Sequence, residues 1–177
     1  MMADDAHRPI TAIVYADGAA FEALLDEAVR NLAARGVRLA GVVQQSIARP
    51  GRRKCDMVLR DLATGRLHPI SEHRGEAARG CALDVDLLLR ACAAAEAGLT
   101  DGTALVVLSK FGKVECEGGG VRGLIEAALE RGIPVMIGVP AINLQPFRTY
   151  AADLARLVPI AHLHPGLLDE ALAQEAC

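Results

Sequence analysis

Lys110 and Lys113 stand in the stretch SKFGKVECEGGG, with Gly118, Gly119 and Gly120 close behind them. Two ammonium groups beside a glycine run suit an anion: the lysines supply charge, and the glycines let backbone amides approach. The same residues read equally as a solvated loop. A second group of cations lies in SEHRGEAARGC, residues 71–81, where Arg74 and Arg79 could each grip a tetrahedral oxyanion with two parallel N–H donors. Arginines in polar loops are also often simply solvated. The third candidate is YADGAAFE, residues 15–22, where Asp17, Gly18 and Ala19 mark a handover from strand to helix. A helix N-terminus offers free amides to an anion, but Asp17 opposes one, and a plain turn explains the segment as well.

The cysteines carry less. Five of them (Cys55, Cys81, Cys92, Cys116 and Cys177) form an odd set without CxxC spacing, which reads as reduced thiols rather than a zinc site or a disulfide framework. Cys81 precedes a helix start, where a thiolate is stabilised, whereas Cys92 falls on an apolar helix face. His162 and His164 share one side of an extended segment, yet a metal needs a third ligand that the sequence does not supply. No nucleophile elbow or Ser-His-Asp arrangement is present.

These groups need a scaffold, and the hydrophobic pattern describes one. ITAIVYA (residues 10–16) is a β-branched run expected as a buried strand. Phe21, Leu24, Leu25, Ala28 and Leu32 then recur at helical spacing until Gly36. VRLAGVVQQ reads as the next strand, and CDMVLRDLATGRLHPIS as a hairpin turning at Ala63-Thr64-Gly65. Asp84 can cap a helix carrying Leu88, Leu89 and Cys92. ALVVLS is a strand, Val121 to Leu129 a helix, and IPVMIGV a strand. A helix is expected from Asn143 through Leu157, and a last short one over Leu167 to Gln174. Strands alternating with helices predict one α/β domain spanning 1–177, a doubly wound and mostly parallel sheet with an inserted β-hairpin. Ligands of such sheets sit beyond the carboxyl ends of the strands, so Tyr15–Ala20, Ser109–Glu117 and Val139–Asn143 should converge.

Composition narrows the partners. A net charge of −3, 3% aromatic residues and no Trp argue against nucleic acid, which favours basic and aromatic surfaces. No apolar run reaches the length of a membrane span, and the polar N-terminus is no signal peptide, so a cytoplasmic location is expected.

The order of the pieces GVVQQS, KCDMVLRDLATGRLHPIS, CALDVDLLLRAC, ALVVLSKFGKVE and RGIPVMIGVP resembles the small nucleoside-triphosphatase family of P-loop proteins. In that family an apolar strand runs into Asp-Glu-Ile-Gly-Lys-Met-Glu. Gly112, Lys113 and Glu115 match this run, while Ser109 replaces the metal-holding aspartate and Lys110 the catalytic glutamate. The P-loop Lys-Ser/Thr pair is missing after Gly18. A closer resemblance is to an uncharacterised bacterial domain-of-unknown-function family, degenerate relatives of that triphosphatase, through KCDM (Lys54 to Met57), RGC (Arg79 to Cys81) and KFGKVE (Lys110 to Glu115).

Members of the latter family are associated with molybdenum-uptake and molybdoenzyme genes. The resemblance therefore implies a P-loop NTPase-like fold, a small anionic ligand such as molybdate or another oxyanion, and a molybdenum-uptake or molybdoenzyme-maturation partner, with a homo-oligomer open. It draws Lys54, Cys55, Cys81, Ser109 and Glu115 into the candidate ligand set beside Asp17, Gly18, Ala19, Arg74, Arg79, Lys110 and Lys113. With the metal-holding and phosphate-cradling groups gone, triphosphate hydrolysis is not expected. Two alternatives stay open: an enzyme using Asp17 or Glu115 as metal ligand or base, and an interaction module with no small-molecule ligand.

Overall fold

The computed structural model describes residues 8–47, 50–51, 56–72 and 82–174. Its elements are β1 (Ile10–Tyr15), α1 (Gly18–Ala34), β2 (Leu39–Ile47), β3 (Asp56–Asp61), β4 (Leu67–Pro69), β5 (Ser71–Glu72) and β6 (Ala82–Leu83). They continue with α2 (Val85–Ala97), β7 (Leu105–Leu108), α3 (Lys113–Cys116), α4 (Arg122–Glu130), β8 (Val135–Pro140), α5 (Leu144–Ala151), β9 (Ala155–Pro159) and α6 (Pro165–Leu172).

A seven-stranded sheet runs β4-β3-β2-β7-β8-β1-β9. β2, β7, β8, β1 and β9 are parallel, and β3 and β4 form the antiparallel hairpin at one edge. The central strands read as unbroken apolar runs because both faces are covered. Leu105 to Leu108 are all fully buried. Phe21, Leu25 and Leu32 of α1 pack with Leu167 and Leu168 of α6 on one face. Leu88 of α2, Leu124 and Ile125 of α4 and Phe147 of α5 pack on the other. The sheet is thus doubly wound, as the alternation of periods implies.

Helix entry follows the capping residues. Asp17 caps α1 by accepting from the Ala20 amide at 3.1 Å, and Asp84 caps α2 by accepting from Leu87 at 3.1 Å. His164 caps α6 through its Nδ1, which accepts from Leu167, so this histidine is spent on helix geometry.

Three local expectations fail. The helix expected through Leu157 stops at Ala151, and the chain becomes strand β9. Ala152 adopts φ +46°, a backbone conformation that ends the helix, and the open edge of β1 then takes up Ala155–Pro159 as a parallel partner. Strand pairing outweighs the helical spacing there. The glycine-bearing stretch after β7 contains the short helix α3, and Ser71–Glu72 pairs with Ala82–Leu83 instead of lying in a loop. Among the described residues, no helix is long and apolar enough to cross a membrane.

Cys92 lies on the buried face of α2 at 5% exposure, as its place in the apolar pattern implies. Burial, and secondarily the Glu115 carboxylate, pushes its thiol from 9.0 up to about 12. Burial likewise carries Tyr15 and Tyr150 from 10.0 to about 12, each helped by a nearby glutamate. The folded chain therefore keeps protons that the unfolded chain gives up. That stability is full below about pH 9 and lost progressively as the pH rises towards 12. Urea midpoints should fall steadily over that window. Peptide-mapped thiol labelling at pH 8 should modify the half-exposed Cys116 well before Cys92. Equal labelling of the two in the native state contradicts this.

Candidate functional site

Beyond the carboxyl ends of the parallel strands, the three expected segments do meet. Ser109 continues β7 past its last pair, its amide donating to Val42 O at 3.2 Å while its hydroxyl accepts from the Gln44 amide at 2.9 Å. Phe111 donates to Gly138 O at 2.8 Å, and the Asn143 side-chain amide donates to Phe111 O at 2.9 Å. The β7 and β8 segments are therefore tied together. Phe21 of α1 packs against Gly138, where any Cβ would collide with its ring. The β1 segment closes on the same point.

The stretch after β7 is a braced turn. One Glu115 oxygen accepts from the Gly112 amide at 2.7 Å and the other from the Val121 amide at 3.0 Å, while Arg122 Nε donates to the Glu115 carbonyl at 2.6 Å. Glu115 is 4% exposed, so its carboxylate faces into the protein rather than toward a ligand. Gly120, at φ +62°, lies against that carboxylate, and a Cβ there would fall inside it. The close backbone approach expected of the glycine run is thus used by the protein's own side chain. The Arg122 guanidinium covers the Tyr150 ring at 4.4 Å, beside Phe111, which itself meets Phe147 edge-on.

Among the described residues, two cations stand at the rim. Lys113 is 88% exposed, with a long contact of 3.9 Å to Glu117. Lys110 is also exposed and, among the described residues, closes no ion pair, yet its charge reaches Glu22 of α1. Burial pushes the Glu22 carboxyl above its ordinary range, and the Lys110 charge and a Ser46 hydrogen bond pull it partly back. Glu22 and Ser46 line a cleft of about 460 Å³ between α1 and the end of β2. Motif reading overlooked Glu22 and Ser46, since neither belongs to a recognisable pattern. The one sequence cue was that the helix after β1 points its first turns over the strand ends.

The connection from β1 to α1 consists only of Ala16 and Asp17. A phosphate-cradling loop needs a longer glycine-bearing wrap whose amides converge on the anion. Gly18 has no positive φ, and a Cβ on it would make only ordinary contact with Tyr15 at 3.9 Å. Asp17 and Ala19 are exposed in the first turn, and the Asp17 carboxylate takes the Ala20 amide that an anion would use. Lys54, Cys55, Arg74, Arg79 and Cys81 lie outside the described residues. Among those described, no group of three His, Cys, Asp or Glu residues could hold a metal ion.

Residues 10–163 match the family described as "Protein of unknown function (DUF2478)". Over 131 residues the chain is 33% identical to the "Molybdenum import ATP-binding protein ModC 2" of Bradyrhizobium diazoefficiens. That match takes in 74% of this chain but only 15% of the relative's length. The fold is similar to that of THEP1 from the hyperthermophile Aquifex aeolicus, with a TM-score of 0.55 and 18% identity over 92% of this chain and 94% of that one. At that identity the likeness concerns the fold: an α/β sheet of the P-loop NTPase type.

Proposed function

We propose that this chain, which belongs to the DUF2478 family, is an anion-binding protein of molybdenum metabolism built on a nucleotide-hydrolase scaffold that no longer hydrolyses. The observation that carries the reading is the rim itself. A two-residue connection replaces the phosphate-wrapping loop, and Ser109-Lys110 stands at the end of the central strand where a metal-holding acid would stand. Without that acid the rim favours an anion free of metal. The ligand would be molybdate, tungstate or a phosphate-bearing molecule, with Lys110 and Lys113 as donors and Arg74 and Arg79 as further candidates. The name of the curated relative supports the link to molybdenum.

A rearranged enzyme site finds less support, since Asp17 caps α1 and both Glu115 oxygens hold backbone amides. One observation favours a second reading, an interaction module: the matched region is a small portion of a much longer relative.

Two measurements test the proposal. Magnesium-dependent ATP or GTP hydrolysis should stay at background; phosphate release that scales with protein and disappears in Lys113→Ala overturns that part. Molybdate, tungstate or phosphate should raise the melting temperature without magnesium. A ligand at ~100 times its Kd contributes about 2.7 kcal/mol, a shift of several degrees for a chain of this size. A flat response across the oxyanions removes the anion reading.

A further inference from the structure

Between α1 and the end of β2 lies a cleft beside the turn that follows β7. β2 outruns its neighbour: it pairs with β3 as far as Ile47, but with β7 only to Val42. The Ser109 hydroxyl takes the Gln44 amide, and past that point no strand among the described residues lies beside the edge facing β7. Leu62 donates to Gly41 O, which makes 43, 45 and 47 the residues bonded to β3. The carbonyl of Gln44 and the amide and carbonyl of Ser46 therefore line the open edge. Ala19, Ala23, Val43 and Ile47 supply aliphatic walls. At one side sits the Glu22 carboxylate with Ser46 on the same lining, and Lys110 is near enough for its charge to be felt without an ion pair. Neighbouring Asp26 is already held by Arg60 at 3.1 Å and Arg30 at 3.2 Å. Glu22 is the carboxylate left to bind something.

A carboxylate, an open strand edge and a cation set apart from both define a ligand with three matching parts. The carboxylate's two oxygens fit a pair of parallel N–H donors, the strand edge fits the rim of a flat heterocycle, and the ammonium fits an anionic tail. A 2-amino-4-oxopyrimidine ring presents adjacent ring N–H and amino donors; adenine does not. We infer that the cleft binds a phosphorylated 2-amino-4-oxopyrimidine, the ring shared by guanine and pterins, with Glu22 reading the donor pair and Lys110 holding the phosphate. The volume of about 460 Å³ is of the size that small-molecule sites occupy. The ring assignment rests on the anion reading above, since Lys110 serves both.

Isothermal titration with GMP, AMP, a pterin monophosphate, guanosine and inorganic phosphate tests the inference in wild type, Glu22→Gln and Lys110→Ala. GMP or the pterin monophosphate should bind about 10- to 100-fold more tightly than AMP, the discrimination a bidentate base contact provides. Which of the two binds better identifies the natural ring. Glu22→Gln should erase the preference over AMP and leave the phosphate contribution, while Lys110→Ala should bring GMP down to the level of guanosine. Circular dichroism melts confirm that both variants fold. Equal affinity for GMP and AMP, no binding of either, or a preference that survives Glu22→Gln overturns the ring assignment. Oxyanion binding without ring preference leaves the anion reading standing alone. GMP that still binds Lys110→Ala as tightly as wild type, well above guanosine, removes the anion role instead.

Discussion

Glu115→Ala should lower the stability of the fold by about 3–5 kcal/mol. Both carboxylate oxygens are used: one holds the Gly112 amide and the other the Val121 amide, within a buried turn. A hydrogen bond to a charged group contributes about 1.5–3 kcal/mol, and removing the acceptor also strands two donors away from water. In a domain of this length each kcal/mol moves the melting temperature by about 2–4 °C, so a drop near 10 °C is expected. Glu115→Gln should not restore it, because its NH₂ would face an N–H where an acceptor is needed. Gly120→Ala should be damaging for a linked reason, since the new Cβ would fall inside the same carboxylate at φ +62°. In the Glu115→Ala background that collision disappears, so the two losses should add to well under their sum. Urea unfolding of Glu115→Ala, Gly120→Ala and the double variant reads this directly. A Glu115→Ala protein within 1 kcal/mol of wild type sinks the bracing role.

Lys110→Glu should abolish oxyanion binding while leaving the fold intact. The side chain is exposed at the strand end and closes no ion pair among the described residues, so little packing is lost. The local charge changes by two units. At ~4 Å each unit is worth about 1 kcal/mol in water and about 4 kcal/mol at a surface dielectric near 20, so even the screened limit predicts a loss of more than tenfold. Glu22 adds to the effect: two carboxylates would then face each other, and its carboxyl, already raised by burial, should rise further. Lys110→Gln separates the causes, because it removes attraction without adding repulsion and should lose less. A folded Lys110→Glu protein that binds every wild-type ligand unchanged would move the interaction-module reading into first place.

Much of the architecture was written in periodicity. The apolar run Leu105–Leu108, the helical spacing from Phe21 to Leu32 and the capping Asp84 each depend on neighbours in the chain. Strand β9 was not legible, because Ala155–Pro159 is a strand only by virtue of the β1 edge it meets, more than a hundred residues earlier in the chain. The site divides the same way. Lys110 and Ser109 stood out because they break a recognisable motif. Glu115 matched that motif, and its real task of bridging Gly112 and Val121 depends on a turn that no spacing rule encodes. Glu22 and Ser46, which line the cleft, come from different elements and are brought together only by tertiary structure.

Ala16 and Asp17, the whole of the link between β1 and α1, also decide what mutation can repair. Substitution exchanges side chains and leaves chain length alone. Two residues reach about 7 Å at full extension, too short to leave a strand, circle a tetrahedral group with converging amides and enter a helix. Lysine and serine installed after Gly18, with acids restored at 109 and 110, would return the lettering of a hydrolase without its loop. Only inserted residues could reopen one. On the proposed reading the short link withholds the loop that hydrolysis needs, and point-mutant libraries of this chain are expected not to yield it however large they are made.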